Sequence, residues 1–73
     1  MKTEEELGEA AYEAMYDALP HQVKDLYDDA CAHFRKAIAQ ARDAANPADA
    51  ARLTARLEHI AAVFNGQFRG IGT

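Results

Sequence analysis

The feature that most limits how this chain can fold is a run of apolar residues at alternating steps of four and three: Val23, Tyr27, Ala30, Phe34, Ala37, Ala41 and Ala44. On a helix that advances about 100° per residue, such steps return to one face. Leu26, Cys31, Ile38 and Ala45 widen that face to the breadth of a core helix, while Lys24, Asp25, Asp28, Arg35, Lys36, Arg42 and Asp43 take the opposite side. Pro20 suits the first helical position, where its missing N–H costs nothing. The spacing therefore predicts a helix over about 20–45. At about 1.5 Å per residue it is about 38 Å long, and only another long helix lying along it can cover its apolar side.

Asn46-Pro47 is the break and restart that supplies one. Asn is a preferred N-cap, Pro fits the first position, and Asp49 follows three residues after the cap. A third helix over about 47–65 carries Ala50, Leu53, Leu57, Ile60, Ala61 and Phe64 on one face, so the two helices are expected to form a tight antiparallel hairpin. Asn65-Gly66 is a common left-handed stop, and Phe68 extends the same stripe if the helix runs on. The first helix is expected over about 4–18, opened by a capping box of Thr3 and Glu6 and closed because Pro20 disfavours helical geometry at Leu19. The whole reads as one all-α domain over 1–73, a three-helix arrangement with a flexible tail at 69–73.

Composition agrees with helix nearly throughout: seventeen of the 73 residues are Ala and none is Ser or Trp. Ala buries little area per residue, and a chain this short has a small core, so self-association is a natural support. The single Cys31 excludes an internal disulfide and there is no Cys-x-x-Cys pair. A reducing compartment fits, and with no long apolar run the chain is expected in the cytoplasm and not in a membrane.

Charge is uneven. Residues 1–30 hold nine acids against two Lys, and residues 31–73 hold three acids against six Lys or Arg. The plain expectation is that the acidic part packs beside the basic part. The sharper one is that a half presents its field to a charged partner.

No pattern points to catalysis. His21, Asp25, Asp29 and His33 recur at four-residue steps, a spacing that can share a metal, but no matching ligand pair occurs on the other helices, and a solvated polar edge is the simpler reading. Cys31 and His33 point about 200° apart on a helix and cannot act as nucleophile and base together. Gly66, Gly70 and Gly72 follow no strand and precede no helix, so they lack a phosphate-loop context. No enzyme activity, cofactor or metal is expected.

Three surfaces remain as candidates. On helix 1 the apolar arc covers about 240° by the same projection, more than a hairpin needs. Leu7, Ala10, Ala11, Ala14 and Ala18 form one side and Gly8, Tyr12, Met15, Tyr16 and Leu19 the other. Tyr12, Met15, Tyr16 and Leu19 are taken as the partner-binding set, facing a second copy or another protein, since a Tyr ring buries area while its hydroxyl stays wet. Arg42, Arg52 and Arg56, with Arg35, make a possible basic patch for nucleic acid, the alternative reading. The stripe Glu6, Glu9, Glu13 and Asp17, continued by Asp25, Asp28 and Asp29, can also imitate a row of phosphates, as an acidic mimic that inhibits a nucleic-acid-binding target.

Over about 45 residues, the second and third helices with the Asn46-Pro47 turn resemble, in architecture and hydrophobic spacing, the small helical-hairpin co-chaperones that hold needle subunits in type III secretion. That resemblance implies a hairpin and, through the shape alone, says little about function. The expectation is a non-enzymatic interaction module (adaptor, small chaperone or inhibitor) that works through helical surfaces as a homodimer.

Overall fold

A computed structural model of the chain describes residues 2–68. Among them there are three α-helices and no strand: α1 (Glu4–Met15), α2 (Pro20–Asp43) and α3 (Pro47–Val63), the last continuing into a π-helical turn, Phe64–Phe68. The expected tail at 69–73 lies outside the described residues. α2 packs against both other helices, and its 24 residues span most of the 40 Å long axis of the molecule.

The helix ends follow local chemistry. Thr3 is extended and its Oγ1 accepts the Glu6 N–H at 3.1 Å, with Glu4, Glu5 and Glu6 at the positive end of the dipole. α1 stops at Met15, three residues short of the expected 18. The N–H groups of Tyr16, Asp17 and Ala18 bond instead to the carbonyls three residues back, at 3.2, 3.1 and 3.4 Å, which tightens the last turn. Leu19 is then extended (φ −68°, ψ 150°), as the following Pro20 requires, and donates its N–H to Gln22 Oε1 at 3.4 Å.

α2 ends at Asp43, two residues before the expected 45, because Ala45 turns left-handed with φ 56°. The Asn46 N–H reaches the Ala41 carbonyl at 2.9 Å and the Ala45 N–H reaches that of Arg42 at 3.0 Å, the two bonds of a Schellman motif with Ala where Gly is usual. Asn46 serves twice, since its Oδ1 also accepts the Asp49 N–H at 3.2 Å and so caps α3. The expected left-handed stop at Asn65-Gly66 does not form: no described Gly has positive φ, and the chain passes through both residues in the π-helical turn.

Phe34, Met15 and Ile60 are the largest fully buried side chains, joined by Tyr12, Val23, Ala30, Ile38 and Leu53. No polar or charged residue is buried among the described residues. α1 packs tightly on α2 at Gly8, where a Cβ would lie 2.7 Å from two ring carbons of Phe34.

Candidate interaction surface

The acidic and basic parts of the chain meet. Arg52 Nη1 and Nη2 donate to Glu5 Oε2 and Oε1 at 2.6 and 3.0 Å, and Nη2 and Nε also donate to Asp49 Oδ1 at 2.6 and 3.0 Å. One turn further on, Arg56 Nε and Nη2 donate to Glu9 Oε1 and Oε2 at 2.6 and 2.8 Å. Both pairs join residues 47 apart, so a step of one turn on α1 is matched by one turn on α3. The Arg52 fork holds the Glu5 carboxyl below the ordinary carboxylate range, and Glu5 and then Asp49 push the Arg52 guanidinium up. Glu9 does the same for Arg56.

This arrangement takes apart the candidate basic patch. Arg52 and Arg56 are occupied by carboxylates, while Arg42 sits exposed on α2 beside a shallow depression shared with Pro47, Ala51, Thr54 and Glu58. It also takes Glu9 out of the candidate acidic stripe, leaving Glu6, Glu13 and Asp17 exposed. His33, one of the four residues with metal-like spacing, places Nδ1 2.6 Å from Glu4 Oε2. Among the described residues no group of three or more His, Cys, Asp or Glu side chains gathers as a metal site requires. Cys31 is buried in the apolar face.

The four residues of the expected partner-binding set divide into two pairs. Tyr12 and Met15 are buried, at 8% and 1% exposure, and belong to the chain's own core. Three residues apart on α1, they lie with Gly8 on the face turned to α2, which is why one chain suffices to cover them. Tyr16 and Leu19 are the large hydrophobic side chains left exposed among the described residues, at 53% and 58%. The reason is local, for they lie where α1 has ended and the chain is extending toward Pro20.

Tyr16 is held from beneath. Its hydroxyl is 2.9 Å from that of Tyr12, and the two rings meet edge to face with centroids 5.5 Å apart. The Arg56 guanidinium lies 5.2 Å from the Tyr12 ring centroid, a positive group over the negative face of the ring. The shared hydroxyl bond, and then burial, raise the Tyr12 phenol above its usual value.

A further apolar element was not separated from the core by sequence reasoning. Tyr27 of α2 and Phe64, just past α3, stack with centroids 4.0 Å apart and planes 9° apart, both half-buried along with Leu26, Leu57 and Val63. Periodicity places Leu26, Tyr27, Leu57 and Phe64 on the inner stripes, and nothing in the spacing says that they are only half covered.

The excess apolar arc of α1 also falls differently from expectation. Its Tyr and Met side mostly turns inward, and its small-residue side is divided, with Ala10 exposed, Leu7 and Ala14 half-buried, and Ala11 and Ala18 packed against the core. At the other end of the molecule, a cavity of about 280 Å³ is lined by Thr3, Glu4, Glu5, Asn46, Asp49 and Leu53 among others. Its carboxylates already have His33 and Arg52 as partners, so none of them is left free for a ligand.

Comparison with protein-family models, with curated proteins and with solved structures finds no match to this chain.

Proposed function

We propose that this protein is a non-enzymatic interaction module, an adaptor, small chaperone or inhibitor, that holds an apolar segment of another protein at the junction of α1 and α2. The observation that carries this reading is the exposure of Tyr16 and Leu19, at 53% and 58%, where the other large apolar side chains among the described residues are buried wholly or in part. An exposed Tyr and Leu three residues apart, with the Tyr ring set edge to face on the buried Tyr12 ring, have the make-up of an interface core: an anchoring ring, aliphatic area and a hydroxyl that tolerates water.

The finer architecture supports the same use. We take α2 and α3 as an antiparallel hairpin, which the short turn at Ala44–Ala45 and the stacking of Tyr27 on Phe64 favour. The hairpin then gives α1 a rigid back, and the Glu5–Arg52 and Glu9–Arg56 bridges hold α1 in register. A cytoplasmic site of action fits the single buried Cys31 thiol. Among the described residues no helix is long and apolar enough to cross a membrane. The nucleic-acid alternative loses support because two of its three arginines already face carboxylates.

The test is a photo-crosslinking residue placed at Leu19 or, as a control, at exposed Ala51 in cells that make the protein. A discrete adduct at 19 that is missing at 51, and that disappears when Tyr16→Ser is added, is the expected result. Equal labelling at both positions, or no adduct at 19, would overturn the proposal.

A further inference from the structure

The outer face of α2 carries a charge pattern that is complementary to itself. Ala32 lies at the middle of this face, opposite the buried line of Ala30, Phe34, Ala37 and Ala41. Asp28 and Lys36 are four residues to either side of it, and Asp29 and Arg35 three to either side. At about 100° per residue, Asp28 and Arg35 fall on one flank of Ala32, and Asp29 and Lys36 on the other. All five residues, and Ala39 one turn beyond Lys36, are exposed.

From this we infer that α2 forms an isologous antiparallel contact with α2 of a second copy of this chain, centred on Ala32. A two-fold axis beside Ala32 that reverses one helix brings like flanks together. Asp28 then meets Arg35 of the second copy, Asp29 meets its Lys36, and both contacts occur twice. The direction is dictated by charge: side by side in parallel, the acidic ends face acidic ends and the basic ends face basic ends. Ala32 and Ala39 at the seam let the helices approach closely enough for these side chains to reach across. The charges concerned are available. Arg35, Lys36 and Asp29 enter no ion pair among the described residues, and Asp28 is bound only by Lys24, at 3.1 Å on an open surface.

This contact is separate from the Tyr16 and Leu19 surface, which it leaves open on each copy. Because it rests on exposed charges, it is moderate in strength and salt-sensitive.

Sedimentation equilibrium at micromolar protein tests it, comparing about 0.02 M with about 0.5 M salt, between which the screening length falls severalfold. The expected result is a dimer at low salt whose dissociation constant rises about tenfold or more at high salt. Asp28→Lys/Asp29→Lys and Arg35→Glu/Lys36→Glu are each expected to be monomeric and, mixed in equal amounts, to associate with one another. Circular dichroism confirms that both variants remain helical. In a Cys31→Ala background, Ala32→Cys is expected to form a disulfide-linked dimer on oxidation, and Ala51→Cys is not.

A wild-type monomer at low salt, or charge-reversed variants that self-associate normally or fail to rescue each other, overturns the inference. Loss of self-association in Tyr16→Ser/Leu19→Ser, with the charge-reversed variants still dimeric, overturns it too. That last outcome would leave the proposed function standing and move the self-contact to the apolar end.

Discussion

Gly8 and Phe34 fit together so closely that a single added carbon has no room: a Cβ on Gly8 would lie 2.7 Å from both Cδ2 and Cε2 of the ring and 3.4 Å from the Ala30 carbonyl oxygen. Phe34 is fully buried and cannot swing into solvent. A glycine within a helix costs about 1 kcal/mol relative to Ala, so its place in α1 reflects this approach.

Gly8→Ala is therefore expected to destabilise the fold by about 1–3 kcal/mol, the cost of overpacking outweighing the gain in helix propensity. In a chain of this size each kcal/mol moves the midpoint by about 4–8 °C, and thermal unfolding followed by circular dichroism measures it. A variant as stable as the parent would show that α1 does not dock at this distance.

Ala45 is the opposite case. With φ 56° it occupies the left-handed region in which a Cβ crowds the following carbonyl, yet its side chain is exposed and makes no core contact. Ala45→Gly is expected to raise stability by about 1 kcal/mol, the strain removed exceeding the added freedom of the unfolded chain. An unchanged or lower urea midpoint would mean that the Schellman geometry does not hold in solution.

The division of the four α1-side residues gives a contrast in stability. Met15→Ala empties a fully buried position and is expected to cost about 2–5 kcal/mol, which unfolds much of a marginal protein. Leu19→Ala, at an exposed position, is expected to stay within about 0.5 kcal/mol of the parent. Equal losses in paired urea melts would contradict the burial pattern.

The pH dependence follows from two groups with opposite signs. Glu5 is held below its ordinary 4.5 by Arg52, so this contact contributes fully above that pH and fades as pH falls through the lower value of the folded state. Tyr12 is raised above its ordinary 10.0, chiefly by the Tyr16 hydroxyl, so its contribution is complete below that pH and is lost as pH rises further. Denaturation midpoints should fall at both ends, less steeply in acid for Glu5→Gln and less steeply in alkali for Tyr12→Phe. Acid profiles that superimpose for Glu5→Gln and parent would remove the role assigned to that bridge.

How much of this was legible in advance depends on the range of the interaction. Thr3, Leu19-Pro20 and Asn46-Pro47 act within a few residues, and each marks a helix boundary to within three residues of where it falls. The stripe through Val23, Ala30, Phe34, Ala37 and Ala41 is buried as its spacing requires, because a 3.6-residue period is itself a statement about one side of a rod. Asn65-Gly66 misleads, since its tendency to stop a helix is weak against continued packing of Phe64 on Tyr27.

The candidate surface was half legible. Tyr12, Met15, Tyr16 and Leu19 share one apolar arc, but an arc does not say which part a neighbouring helix covers. That depended on Gly8 letting α1 sink against Phe34, which buried Tyr12 and Met15, and on α1 ending at Met15, beyond which the chain tightens through Tyr16, Asp17 and Ala18 and extends at Leu19. The pairing of Glu5 with Arg52 and of Glu9 with Arg56 was likewise visible only as a surplus of acid in one half and of base in the other.

By itself, then, the sequence determined that the chain is helical, where its helices break and which side of α2 turns inward, because these follow from local sterics, capping and periodicity. The tertiary structure decided which apolar residues of α1 stay in water and which arginines stay unpaired. Those outcomes are contacts between residues up to 47 positions apart, and they depend on how closely two rods approach and in what register.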